Sequence, residues 1–399
     1  MPAAEVVIVA FLGLALLASL ISNRTRTPYT LLLVLIGMLL AASSTSSLLG
    51  VDLIYQQLVG GRLFVALVLP SLLFETMINI KAEEFASVSR PALLLATLGV
   101  VVATVVGGLL LWGIAALPIY PAFLFAALIA PTDVATVLEI FKRVKVPEKL
   151  TTLLETEAVF NDATGIIVFA TLLASFNVSG LSLAGASAQF LLQFGGGVLV
   201  GLAVAVGASM LQRLISERMT EVILTIATVY GSYALARSVG ASGLIAVAVT
   251  GLYYGNKVIS KEVDVSAQLV KSFWNVIAFI ANTAAFLFIG LSTNIGELFG
   301  GFGAILLAFA AVIAARYVSV QAILGLKAIA GENYENSWKN VALLGGMRGA
   351  LSIVLVASVP TTVPDRELIV TMTLGVAFLS IVLQGPLLRR YASRRFKVG

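Results

Sequence analysis

The chain has 399 residues, 59% of them hydrophobic and only 11% charged, with a mean hydropathy of +1.04. An ordinary soluble domain carries about 25% charged residues, so the chain reads as an integral membrane protein. It has no Cys and no His, which excludes disulfides, thiol chemistry, the usual zinc and haem ligands and every histidine-based acid, base or triad, and leaves proton chemistry to carboxylates.

At about 20 residues per helical span, thirteen apolar segments are predicted: 4–22, 28–42, 62–79, 91–117, 121–141, 150–175, 187–213, 220–237, 241–257, 268–292, 298–327, 338–359 and 366–388. The first, in MPAAEVVIVAFLG, lacks a basic n-region and a clear cleavage site, and is read as a retained span rather than a signal peptide. An odd number of spans puts the termini on opposite sides, and the basic residues test that count. With the C-terminus inside, the inner loops and tail hold 20 of the 25 Lys and Arg residues, among them Arg24, Arg26, Lys142, Arg143, Lys145, Lys261 and Lys397. Only Arg62, Arg237 and Arg366 fall outside, and Arg316 and Arg348 lie within spans 11 and 12. The net charge of +5 therefore reports topology, with the N-terminus outside and the C-terminus cytoplasmic, and no nucleic-acid partner is expected. The fold class expected is an all-α polytopic membrane protein with about thirteen transmembrane helices. Of the glycine clusters, Gly195-Gly196-Gly197 and Gly300-Gly301 read as close helix packing, whereas Gly345-Gly346 precedes an arginine.

Two spans look interrupted. In span 5, APTDVATV, Pro131 removes a helical hydrogen bond and Thr132 and Asp133 follow it at membrane depth. Span 12, VALLGGMRGALSIVLV, places three glycines around Arg348. Broken helices at depth are tolerated only where protein or a cavity covers the freed backbone, and there loose carbonyls and half-helix ends bind ions. A break in each half of the chain points to a transporter of inverted repeats, spans 4–6 against 11–13, with the two discontinuous helices crossing.

Span 6, LETEAVFNDATGII, carries Glu155, Glu157, Asn161 and Asp162 in an otherwise apolar run. An Asp at the centre of a span costs roughly 2.5–3.5 kcal/mol, so such a residue faces a wet cavity or an ion rather than lipid. At 100° per residue Glu157 and Asn161 share a face while Asp162 sits about 140° from Glu157. Asp162 is therefore assigned to the cavity and Glu157 to a buried partner, for which Arg316, alone in span 11, is the candidate. Asp133 reads either as a cap on the half-helix after Pro131 or as an ion contact. Arg348 reads as neutralising carbonyl ends at the break, Glu155 as a solvated charge at the cytoplasmic entrance, and Glu75, in LLFE, as a step on a proton path or a snorkelling acid.

At these residues the sequence resembles the cation–proton antiporter superfamily in its NhaP/NHE sodium–proton exchanger branch. The matching motifs are APTDVATV at 130–137, ETEAVFNDATGI at 155–166, LLFE at 72–75, Arg316, and GGMRGALS at 345–352. The resemblance implies the NhaA-like antiporter fold and a homodimer in which an interface domain, residues 1–90 and 187–292, holds a mobile six-helix core. That core, residues 91–186 and 293–390, carries substrate by an elevator-like movement, and 391–399 forms a basic cytoplasmic tail. It further implies that Asp162 takes either cation or proton, with Na+ held by Asp162, Glu157 and Thr132. Asn161 stands where electrogenic relatives have a second Asp, which implies electroneutral exchange. One position departs from the pattern: Ala158 replaces a Ser whose hydroxyl is a cation ligand in many exchangers of this branch, leaving water, a carbonyl or Thr164 to substitute.

The function expected is secondary active antiport of a monovalent cation, Na+ or Li+, against H+, in the plasma (inner) membrane, with no cofactor beyond the transported ions. Desolvation penalises a carboxylate's charge, and either a proton or a cation relieves it, so the two compete for one site. If only the compensated site crosses the low-dielectric barrier, exchange follows. The alternatives are K+/H+ antiport on the same fold and, from another class, a passive cation channel. A membrane enzyme would need an aspartyl or metal-carboxylate site, which two midplane arginines fit poorly.

Overall fold

The computed structural model describes residues 4–25, 27–42, 62–175, 183–215, 217–258, 265–293 and 295–396. Arg26, Lys261 and Lys397 of the topology count, and residues 397–399 of the expected tail, lie outside the described residues. The described residues are helical with no strand, and each of the thirteen predicted segments becomes one helix or two half-helices. Seven of these helices are long and apolar enough to cross a membrane unaided, including Ala82–Gly113, Glu148–Ser175, Phe302–Leu324 and Arg366–Arg395.

Spans 5 and 12 are the broken ones. Span 5 is Ile119–Ile129 followed by Ala135–Phe141, and span 12 is Asn336–Leu344 followed by Ala350–Ala357. Two further spans carry a π-helical turn, Leu95–Gly99 in span 4 and Ser380–Gln384 in span 13. The first is braced from span 11, where the Ser319 hydroxyl donates to the Gly99 carbonyl at 2.9 Å.

Boundaries differ from expectation where amphipathic sequence extends an apolar core. Span 4 begins at Ala82 rather than 91, through AEEFASVSR, with Glu83 and Glu84 in the first turn, where they complement the helix dipole, and Val88 buried. Span 13 continues to Arg395, so residues 391–395, expected in the tail, are helical. Hydrogen bonding explains that extension: Asn340 Nδ2 donates to the Tyr391 hydroxyl at 3.0 Å, and Arg395 lies 3.4 Å from Glu335. Nearby Lys149 donates to Glu332 at 2.6 Å, and that hydrogen bond holds the Glu332 carboxyl below the usual carboxylate range.

Close packing between spans depends on glycine. A Cβ on Gly290 of span 10 would lie 2.8 Å from the Gly37 Cα of span 2, so these backbones touch. Gly196 and Gly197 face span 9 in the same way, with 2.9 Å to Ala241 Cβ and 2.8 Å to the Ser242 carbonyl. Gly300 corrects the packing expectation for the second cluster. A Cβ there meets nothing within 4 Å; Gly300 instead ends the short helix Ile295–Gly300, and Gly301 separates it from Phe302–Leu324.

Gly290→Val should therefore lower stability by about 1–3 kcal/mol by overpacking, read as a fall in thermal unfolding temperature in detergent, whereas Gly300→Ala should leave that temperature unchanged.

Candidate ion site at the crossed helix breaks

The two breaks meet. Asp133 N donates to the Met347 carbonyl at 2.7 Å, joining the unwound backbone of span 5 to that of span 12. Two glycines permit this approach. Gly165 of span 6 lies against the Pro131 ring and Gly349 against the Asp133 carboxylate, and a Cβ at either would overlap its neighbour.

Ending a helix at membrane depth leaves carbonyls without partners and puts the negative end of its dipole there. At each break an arginine meets that end. Arg348 Nη1 donates to the Ala130 carbonyl and, at 3.0 Å, to the Pro131 carbonyl, at the end of the first half of span 5. Arg316 donates through Nε at 3.2 Å and Nη2 at 3.0 Å to the Ala342 carbonyl, near the end of the first half of span 12. Both arginines are buried. Gly346 makes room, since a Cβ there would stand 2.9 Å from Arg316 Nε.

Arg316 also forms a two-pronged ion pair with Glu157: Nη1 with Oε1, and Nη2 with Oε2 at 2.9 Å. Both carboxylate oxygens are engaged, and Glu157 is 1% exposed. Asn161, on the same face one turn on, donates from Nδ2 to the Thr132 hydroxyl oxygen at 2.8 Å and accepts from Thr132 N at 3.4 Å, tying span 6 to the break in span 5.

Asp162 lies on another face. It borders a cavity of about 120 Å³ together with Thr132, Asp133, Ala158, Glu75 and Asn282, and among the described residues it has no hydrogen-bond or ion-pair partner. The cavity reaches from Asp162 toward Glu75 of span 3 and Leu138 of span 5, the end of span 5 that carries Lys142 and Arg143. Asp133 accepts from Ala135 N at 2.7 Å while also lining the cavity, so one carboxylate both starts the second half-helix and faces the void. Glu75 accepts from Asn79 Nδ2 at 3.0 Å.

The expected sodium ligands are thus only partly gathered. Asp162 and Thr132 share the cavity, whereas Glu157 does not line it, because it points to the other side of the helix into the guanidinium. Asn161 likewise acts through Thr132 rather than at the cavity wall. Thr164, one of the possible replacements for the hydroxyl missing at Ala158, is fully buried, donates to the Phe160 carbonyl at 3.0 Å and does not line the cavity. Glu155 is half-buried and is likewise absent from the cavity wall.

Sequence reasoning missed two polar residues here. Asn282, in AFIANTAAF of span 10, reaches the cavity from the far wall; the only signal was an amide in the middle of an apolar helix. Glu139 accepts from Tyr29 N at 2.6 Å and Thr30 N at 3.5 Å, capping span 2 from the second half of span 5. A lone acid in VLEIF gives no hint of that distant helix end.

Crossed broken helices around an unpaired carboxylate define a membrane transporter of the discontinuous-helix class. The family model described as sodium/hydrogen exchanger, transmembrane, matches residues 8–394, and the chain belongs to this family. It is 34% identical over 393 residues to the low-affinity Na(+)/H(+) antiporter NhaS1 of Synechocystis sp., a match covering 95% of this chain and 72% of that protein. It is 36% identical over 340 residues to the Na(+)/H(+) antiporter NhaP of Pseudomonas aeruginosa, covering 81% and 79%. The fold is similar to that of the sodium proton antiporter MjNhaP1 from Methanocaldococcus jannaschii, with a TM-score of 0.79, 21% identity and 98% of each chain covered.

Removing one partner of a buried ion pair strands the other, at about 3–5 kcal/mol. Arg316→Ala should therefore lower detergent thermal stability strongly, and Glu157→Gln combined with Arg316→Ala should lose less than the two single losses added together; additive losses in that double-mutant cycle would remove the coupling.

Proposed function

We propose that this chain is a secondary antiporter that exchanges one Na+ for one H+ at Asp162, with Li+ as a substitute cation. The reading rests chiefly on one observation: among the charged groups at the crossing, Asp162 is the carboxylate that faces the cavity without a partner. At the crossing itself three carboxylates, Asp133, Glu157 and Asp162, stand against two guanidiniums, Arg316 and Arg348, which leaves one negative charge there, with Glu75 a further acid along the cavity wall. One proton or one monovalent cation cancels it, and Asn161 adds no second charge. Electroneutral one-for-one exchange follows from that balance, with Thr132 and Asp133 contributing oxygen to the bound cation, and Glu157 and Arg316 fixing the helix that carries Asp162.

Proton and cation compete because each relieves the same desolvation penalty, and the empty, charged site is the form that cannot cross. Each unit of pH gradient then supplies about 1.4 kcal/mol to drive the cation. In this reading residues 91–186 and 293–390 move as a core against an interface domain of residues 1–90 and 187–292, within a homodimer, and no resident cofactor takes part. The positive-inside distribution supports an N-terminus outside and a C-terminus in the cytoplasm of the plasma membrane, where the exchange would serve pH and sodium homeostasis. Glu75, nearer the basic end of the cavity, would relay protons to the site.

The test is a proteoliposome assay with an internal pH dye. Na+ or Li+ added outside, with the potential clamped by valinomycin and equal K+ on both sides, should move protons outward at an unchanged rate relative to the unclamped vesicle. A clamp-dependent rate would overturn the one-for-one stoichiometry, cation uptake without proton movement would make the protein a channel, and a response to K+ alone, measured without valinomycin, would reassign the ion. Asp162→Asn should abolish the exchange while leaving thermal stability and oligomeric state intact.

A further inference from the structure

The cavity has two walls of different origin. Thr132, Asp133 and Asp162 come from spans 5 and 6, whereas Asn282 comes from span 10 and Glu75 and Thr76 from span 3. In the antiport reading, on which this inference rests, the first group travels with the cation and the second does not.

Asn282 sits in the middle of the helix Val265–Leu291, among AFIA and TAAF, and is partly exposed to the cavity. Among the described residues its side chain has no hydrogen-bond partner. An unpartnered amide in a spanning helix is costly unless water or a ligand takes its place in the hydrogen-bond account. Its neighbours on the helix are engaged differently: the Thr283 hydroxyl turns back to the Phe279 carbonyl at 2.7 Å and meets the Tyr29 hydroxyl at 2.8 Å. Ala158 lines the same cavity and offers no oxygen, and Thr164 does not line it, its hydroxyl donating to the Phe160 carbonyl. The core wall therefore presents one oxygen fewer than a serine at 158 would give it, and the side chain of Asn282 lines the same space.

We propose that Asn282 is a cation-specificity residue of the exchange, its amide oxygen supplying, directly or through one water, the coordination missing at Ala158. Because it stands on the non-travelling wall, it serves the site only while the cavity opens toward the Glu75 end. Cation affinity from that side then depends on Asn282, and affinity from the opposite side does not. A serine at 158 would behave otherwise, travelling with Asp162 and serving both sides.

The experiment compares everted and right-side-out membrane vesicles carrying the full chain, reading the half-saturating Na+ concentration for proton exchange from each side. N282L, close in shape but without oxygen, should raise the value from the Glu75 side roughly three- to tenfold, the worth of one hydrogen-bond-sized interaction, and leave the other side within about twofold. Adding A158S to N282L should bring the Glu75-side value back toward wild type and lower the other. N282A gives the same comparison where leucine is not tolerated, and N282Q, which keeps an amide oxygen, should shift the Glu75-side value less than either. Equal shifts on both sides, or lowered thermal stability with no shift on either, would overturn the inference and leave Asn282 a packing residue. Wild-type vesicles without coupled flux would instead overturn the antiport reading; Na+-dependent thermal stabilisation of purified wild type and N282L would then decide the inference, equal stabilisation sinking it and a weaker one in N282L supporting it.

Discussion

The contact between Arg316 and Glu157 is the one on which the crossing depends. It joins spans 6 and 11 by charge, and through the Ala342 carbonyl it also fixes the end of the first half of span 12. A carboxylate buried this deeply is tolerated only with its counter-charge in place, and a guanidinium with five fixed donors can serve a carboxylate and a helix end together. A lysine could not do both, since a single ammonium presents a point charge without the planar fork.

From that contact the rest of the site is arranged by exclusion. Glu157 is occupied, so the helix keeps its orientation and Asp162 is left facing the void. Asn161, on the occupied face, extends the same clamp to Thr132. Arg348 does for span 5 what Arg316 does for span 12, holding the Ala130 and Pro131 carbonyls that the break set free. The breaks are thus stabilised by cations on the far side from the cavity, and the cavity keeps its negative character. An ion-binding group needs spare capacity, and the described contacts leave it at Asp162 and, on the facing wall, at Asn282, while consuming it at Glu157 and Asn161.

Much of this was legible in the residues. Thirteen helical units follow from hydropathy, and the two breaks from Pro131 and from the glycines around Arg348. The opposite facing of Glu157 and Asp162 follows from 100° per residue, and the partnership with Arg316 from that arginine's isolation in its span. Other features were hidden for physical reasons. The apolar run of span 4 begins at Pro91, but that proline sits inside a helix whose earlier turns are amphipathic rather than apolar. The helical residues 391–395 read as tail because they are basic and follow the last apolar run, whereas Tyr391 and Arg395 make contacts with Asn340 and Glu335. The capping of span 2 by Glu139 joins positions 110 residues apart, and no local pattern encodes such a distance. Asn282 escaped notice because an amide carries no charge to advertise the expense of burying it.

The bond between Asp133 N and the Met347 carbonyl has a consequence for how this fold can be altered. It is made wholly of main chain, so exchanging either side chain for another leaves donor and acceptor in place. Most substitutions at 133 and 347 therefore leave it in place, and the side chains there can diversify while the junction stays fixed, so long as Gly165 and Gly349 keep the room for it. Removing the bond itself takes a change in the main chain, an ester at position 133 or a proline substituted there.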